Sequence, residues 1–85
     1  MTPTDRLDRW LWQARFVRSR ARAASLVTDG AVRVNGARVR KPATQVRVGD
    51  GLSFALHGRI YAVEILSLSE RRGPASEAEA LYRSL

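Results

Sequence analysis

The sequence contains no cysteine and only one histidine, one methionine and three prolines in 85 residues. Without cysteine there is no disulfide framework and no thiolate metal site, and a reducing compartment suits such a chain. His57 stands alone beside Gly58, with no carboxylates spaced to join it. It is read as a turn residue, and neither a metal site nor a cofactor is expected. No apolar run approaches the length of a membrane span, and Met1-Thr2-Pro3-Thr4 leads at once into a charged helical pattern instead of an apolar signal segment. The expectation is a cytoplasmic protein with no membrane partner. The phosphate-cradling glycine loops and the G-x-S-x-G nucleophile turn are missing too, and the acids are scattered over helix starts and turns, so no enzyme is expected.

Acidic residues are the other scarcity. Eight acids face fifteen Arg and Lys, giving a net charge of +7. The excess is uneven: residues 1–48 hold eleven basic and three acidic side chains (+8), residues 49–85 four and five (−1). Between Arg15 and Lys41, with Arg47 just beyond, nine basic side chains stand against one acid, Asp29. A surface charged this way repels itself and calls for a polyanion. Eighty-five residues make one small domain with a modest core.

Thr4 or Asp5 is placed to cap a first helix running to about Phe16, with Asp8 in its first turn. Leu7, Trp10, Leu11 and Ala14 follow the spacing of a buried face, and Arg6, Arg9 and Gln13 share a flank. Trp12 lies off the apolar stripe and is expected to pack beneath another segment such as the C-terminal tail; a stacking platform for a base is the alternative. Ser19 caps a second helix whose inner side is Ala23, Ala24, Leu26 and Val27, and Gly30 ends it. Arg18, Arg20 and Arg22 crowd the positive end of that helix, an arrangement that suits a phosphate bound on free backbone N–H groups. The helix lacks the bulky apolar residues of a membrane-surface element.

Next, AVRVNGARVRK alternates apolar and basic residues about Asn35-Gly36, a strong signal for a two-residue hairpin turn. This register sets Val34 opposite Ala37, Val32 opposite Val39, and Arg33 opposite Arg38 on the outer face beside Arg40, a second place that asks for an anion. Gly49-Asp50 is a turn. Leu52, Phe54 and Leu56 alternate before His57-Gly58, and Tyr61, Val63 and Ile65 after it, giving a second hairpin. Gly73-Pro74 breaks the chain, and Ser76-x-x-Glu79 reads as a capping box for a last short helix containing Ala80, Leu81 and Tyr82.

Together, Arg6-Leu7-Asp8, Ser19-Arg20, Leu26-Val27 before Gly30, Val34-Asn35-Gly36, Lys41-Pro42, Val46 and Gly49-Asp50 resemble, in order and spacing, the RNA-binding domain family named after the fourth small-subunit ribosomal protein, the S-four or alpha-L type. The resemblance covers residues 5–66 and leaves 67–85 as a C-terminal tail with a short helix. Within the family, Arg6 to Trp12, Ala14-Arg15-Phe16 and Arg72 to Ala78 most resemble the ribosome-associated bacterial heat shock protein 15 subfamily. That resemblance implies an α+β fold of two packed N-terminal helices on a small, mainly antiparallel sheet. It also implies binding to structured ribosomal RNA, with the large ribosomal subunit as partner in a heat-shock or stalled-ribosome context, and tRNA within reach on stalled subunits. By position it assigns Arg6, Arg9, Arg15, Arg18, Ser19, Arg20, Arg22, Asn35, Arg40 and Lys41 to the RNA, joining Arg33 and Arg38 from the hairpin argument. The subfamily pattern continues past Ala75-Ser76-Glu77 into a basic extension, whereas this sequence stops at Leu85. A monomer is expected. The rival readings are a DNA-binding helix-turn-helix protein, disfavoured because helix two has few base-reading side chains, and a non-catalytic protein-interaction module.

Overall fold

The fold is seen in a computed structural model that describes residues 2–85. Residues Asp5–Arg6 form a short strand, β1, which pairs antiparallel with β4, Gln45–Val46. Helix α1 follows at Leu7–Gln13 and α2 at Arg20–Thr28. A five-stranded antiparallel sheet is then built from β2 (Val32–Val34), β3 (Ala37–Val39), β5 (Gly51–Leu56), β6 (Arg59–Ile65) and β7 (Tyr82–Ser84), in the order β3-β2-β5-β6-β7. Between β6 and β7 lies a one-turn helix, α3 (Ala75–Ala78), continued by a 3-10 turn at Glu79–Leu81. The α+β architecture is the expected one. The core lies between the helix pair and one sheet face, where Leu7, Trp10, Leu11, Ala23, Val27, Val32, Leu52, Phe54, Val63 and Ile65 are all buried.

The start of α1 differs from the expectation. Neither Thr4 nor Asp5 caps it: the N-cap is Arg6, with no side-chain bond. Backbone carbonyls replace the cap, because Leu7 N–H donates to Thr44 O (2.9 Å) and Asp8 N–H to Pro42 O (3.2 Å), so two orphan donors are met by a loop distant in sequence. The helix also stops short of Phe16. Arg15 takes the left-handed conformation (φ 63°). Its N–H donates to Trp12 O and that of Phe16 to Leu11 O, closing a Schellman motif with arginine where glycine is usual.

Helix α2 follows its sequence signals. The Ser19 hydroxyl accepts from Arg22 N–H (3.1 Å), and Gly30 (φ 78°) ends the helix, with Gly30 N–H donating to Val27 O and Ala31 N–H to Leu26 O. Ala23 and Val27 are fully buried, while Ala24 and Leu26 are half-buried. The first hairpin adopts the expected register and the second closes at the expected turn. Val32 faces Val39, Arg33 faces Arg38 and Val34 faces Ala37 around Asn35 and Gly36, both at positive φ as a type I′ turn requires. Phe54 faces Tyr61 and Leu52 faces Val63 around His57 (φ 52°) and Gly58 (φ 75°), so His57 is a turn residue.

The tail departs most. Ser76 caps nothing: Pro74 is the N-cap of α3, without a side-chain bond. Tyr82 leaves the helix to open the edge strand β7, facing Ile65 across the sheet. Its ring lies 4.7 Å from that of Phe16, which also meets Phe54 (4.9 Å) and Tyr61 (5.6 Å). In the strand, Tyr82 adds its ring to this aromatic cluster. Trp12 packs beneath the tail: the Arg72 guanidinium lies 5.6 Å from its ring centroid, and Arg72 donates to Trp12 O and Val17 O.

Candidate nucleic-acid interface

The predicted contact residues fall into two groups. Arg6, Arg9 and Arg15 close on the protein itself. Arg6 is paired with Asp8 (Nε–Oδ1 3.0 Å, Nη2–Oδ2 3.1 Å), a buried carboxylate whose hydrogen bond and charge raise the Arg6 pKa above its ordinary value. Arg9 donates to Asp5 Oδ1 (3.4 Å) and Glu70 O (2.9 Å), and Arg15 Nε to Gly73 O (2.7 Å). Residues 67–73 run over the part of the flank that carries Arg9 and Gln13, held further by Trp10 Nε1 donating to Ser67 O. Gln13 is 1% exposed.

Arg18, Arg20, Arg22, Arg33, Arg38, Arg40 and Lys41 behave differently. All are exposed, and none takes part in the ion pairs found among the described residues, which join Arg6 to Asp8, Arg9 to Asp5, Arg47 to Asp50, Arg71 to Glu77 and Arg83 to Glu64. Six of these seven form two clusters, and Lys41 follows Arg40 in the chain. Arg18, Arg20 and Arg22 surround the N-terminal end of α2. Arg18 and Arg22 line a groove of about 470 Å³ with Arg15, Phe16, Leu56 and His57. Beyond the C-terminal end of α2, the Arg40 guanidinium lies over Gly30, where a Cβ would meet Nη1 at 2.8 Å. Arg33 and Arg38 line a smaller groove of about 220 Å³ with Gly30 and Ile60. The nine residues of α2 separate the clusters by about 13 Å along its axis at ~1.5 Å per residue.

Two polar candidates are engaged locally. The Ser19 hydroxyl accepts the capping bond from Arg22 N–H. The Asn35 amide joins the hairpin tip to the next turn, its Nδ2 donating to Asp50 Oδ1 (3.0 Å) and its Oδ1 accepting from Gly51 N–H (2.8 Å). His57 is the groove residue that sequence reasoning passed over. The two-residue turn that holds it was legible, but its placement opposite Arg15, Arg18 and Arg22 depends on how β5 and β6 pack against the helices.

No group of three or more His, Cys, Asp or Glu among the described residues is placed to hold a metal ion. No helix among them is long and apolar enough to cross a membrane.

Comparison with known proteins gives this geometry a family. The S4 domain model matches residues 5–52. The chain is 40% identical over 77 residues to Heat shock protein 15 of Escherichia coli (strain K12), covering 91% of this chain and 57% of that protein, so it spans rather more than half the relative's length. It is 38% identical over 71 residues to the small ribosomal subunit protein uS4 of Methylobacterium radiotolerans, across 81% of this chain and 35% of that one. Among solved structures, Vibrio cholerae Heat Shock Protein 15, described as trimeric, superposes with a TM-score of 0.91 at 36% identity, covering 98% of this chain and 83% of that one. The chain belongs to the S4 domain family and, within it, to the heat shock protein 15 branch.

Proposed function

We propose that the chain binds structured ribosomal RNA, holding the phosphate backbone between the arginines at the start of α2 and those beyond its other end, on large ribosomal subunits in a heat-shock or stalled-ribosome context. The observation that carries this reading is the division of the charges: seven exposed cations from Arg18 to Lys41 have no acidic partner among the described residues. Cations in such numbers are left unpaired where a polyanion is to neutralise them. Membership of the S4 domain family supports RNA as that polyanion. The A-form major groove is closed to side chains, so contacts to phosphate and 2′-hydroxyl provide recognition by shape. The names of the E. coli and Vibrio relatives support the stress context. The same reading makes the chain a non-catalytic, cytoplasmic binder, within reach of tRNA on stalled subunits.

The test is binding to a large-subunit ribosomal RNA fragment and to duplex DNA across a salt series. If about five phosphates are neutralised, log affinity for RNA falls against log salt with a slope of about −4. The double variant Arg18→Ala, Arg20→Ala is expected to bind more weakly with a slope shallower by about one unit per arginine. Equal affinity for DNA, or an unchanged slope in the variant, would overturn the reading. Crosslinking in cells should recover large-subunit ribosomal RNA; tRNA alone would move the site of action off the subunit. Self-repulsion of the basic clusters supports a monomer, and sedimentation at low salt tests it, since a trimer there would align this chain with its Vibrio relative.

A further inference from the structure

Gln13 is the last residue of α1 and is 1% exposed, yet neither its Oε1 nor its Nε2 has a hydrogen-bond partner among the described residues. A buried amide with both ends unmatched is a rare and costly arrangement, which a leucine of similar size would avoid. It lines a cavity of about 190 Å³ between α1 and the tail, together with Ser67, Leu68, Arg71, Glu77 and Leu81. The volume exceeds that of a single bridging water, and a cavity of about 150 Å³ suffices for a benzene ring. The lining is mainly polar, with Leu68, Ala78 and Leu81 as its apolar part, and the amide offers one donor beside one acceptor, a pairing that suits a flat ring with a hydrogen-bonding edge. Adenine carries such an edge, with the N6 amino donor next to a ring-nitrogen acceptor, and the amide is its bidentate partner.

The cavity adjoins the basic groove. Arg15, which lines that groove with Arg18 and Arg22, donates from Nε to Gly73 O, and Gly73 lines the cavity. Arg15 is held in the left-handed conformation at this junction. The exposed Arg71–Glu77 pair lines the cavity, and because the Gln13 amide atoms are closed to solvent, a ring reaches them by displacing that pair. We propose that this cavity receives a single unstacked nucleobase, an adenine by preference, from RNA whose backbone lies on Arg18 and Arg22, with Gln13 reading its edge. The proposal rests on the RNA-binding reading above and adds a base-specific element to a phosphate-based interface. A peptide group offers a similar donor and acceptor, but the groove of unpaired Arg18 and Arg22, joined to the cavity through Arg15, favours RNA.

The test uses the full chain and three hairpin RNAs: one with a single bulged adenosine, one with the same bulge made abasic, and one fully paired. The wild type is expected to prefer the bulged adenosine to the abasic site by on the order of tenfold. Gln13→Leu should erase that preference and leave affinity for the paired hairpin unchanged. Its melting temperature should hold or rise, since an unmatched buried amide is removed. The side-chain NH₂ resonances of wild-type Gln13 should shift with the bulged RNA and stay in place with the abasic one, a readout that needs no variant to fold. Equal affinity of the wild type for bulged and abasic RNA, or an amide that does not move, overturns the cavity proposal alone. An amide moved by an unfolded polypeptide and not by bulged RNA also overturns it. Failure to bind any of the hairpins overturns the basic-face reading and this proposal with it.

Discussion

The α1–tail half and the α2–hairpin half are both rich in arginine and use it in opposite ways. In the first, Arg6 and Arg9 take the buried Asp8 and Asp5 as partners, and Arg9, Arg15 and Arg72 donate to the carbonyls of Glu70, Gly73, Trp12 and Val17. These guanidiniums satisfy backbone groups that a loop packed on a helix would otherwise leave unmet. In the second half the only arginine side-chain bond to a carbonyl among the described residues is a long one, Arg33 Nη1 to Gly36 O at 3.4 Å. The charge is similar, and the acceptors within reach differ. Arg6 and Arg9 turn to acids close in sequence, and Arg9 and Arg15 also turn to the tail that crosses them, which counting charge along the chain does not reveal.

The largest effect that sharpens this contrast is expected at Trp10, fully buried with its indole N–H on Ser67 O and its ring 6.4 Å from Tyr82. Trp10→Ala should cost about 3–5 kcal/mol, enough to unfold much of so small a domain, and RNA binding should vanish with the fold. A Trp10→Ala protein that melts normally would mean that the tail does not hold to α1. Arg72→Ala comes next. It removes two charge-assisted bonds and the contact with Trp12, and should lower stability by ~1.5–3 kcal/mol in denaturant titrations. The salt slope of RNA binding should stay where it was. A shallower slope in this variant would place Arg72 on the RNA and break the division between the halves.

Arg18→Ala belongs to the other half and should act in the opposite sense. Relief of a cation at the positive end of α2 should leave stability level or raise it by about 0.3–1 kcal/mol at low salt, while RNA affinity falls. Paired melting and binding measurements check both signs. A loss of stability would assign Arg18 an internal partner.

The elements that were legible are those whose signals are local. Asn35-Gly36 between alternating residues set the first hairpin and its register, Ser19 and Gly30 bounded α2, and the spacing of Leu7, Trp10, Leu11 and Ala14 marked the buried face of α1. What escaped depends on chain distant in sequence. The first N–H groups of α1 find Pro42 and Thr44, so the cap expected from Thr4 or Asp5 is unnecessary. The short C-terminal helix forms without the Ser76 cap, and Tyr82 leaves it to join Phe16, a partner 66 residues away that no local motif announces. The site divides likewise. The arginines around α2 were identified by their own crowding at a helix end, whereas the bonds of Arg9 to Glu70 O and of Arg15 to Gly73 O require knowing where residues 67–73 run.

The smallest effect, and the one that sets stability against binding at one position, lies in the hairpin. Arg33 and Arg38 stand directly opposite on neighbouring strands, both exposed, and no acid among the described residues pairs with either. Opposed like charges are unfavourable, and opposed unlike charges are favourable, by increments of about 0.2–1 kcal/mol. Arg38→Glu should therefore stabilise the free protein by an amount in that range at low ionic strength, with the gain shrinking as salt screens the pair. Strand geometry does not oppose the change, since position 38 lies on edge strand β3 with its side chain in solvent. If this face meets RNA, the same substitution sets a carboxylate against phosphate and affinity falls. A rise in melting temperature with weaker RNA binding is the expected pair of results. A rise in melting temperature with unchanged binding would confine the RNA to the N-terminal end of α2 and leave the Arg33–Arg38 pair without a ligand to explain it.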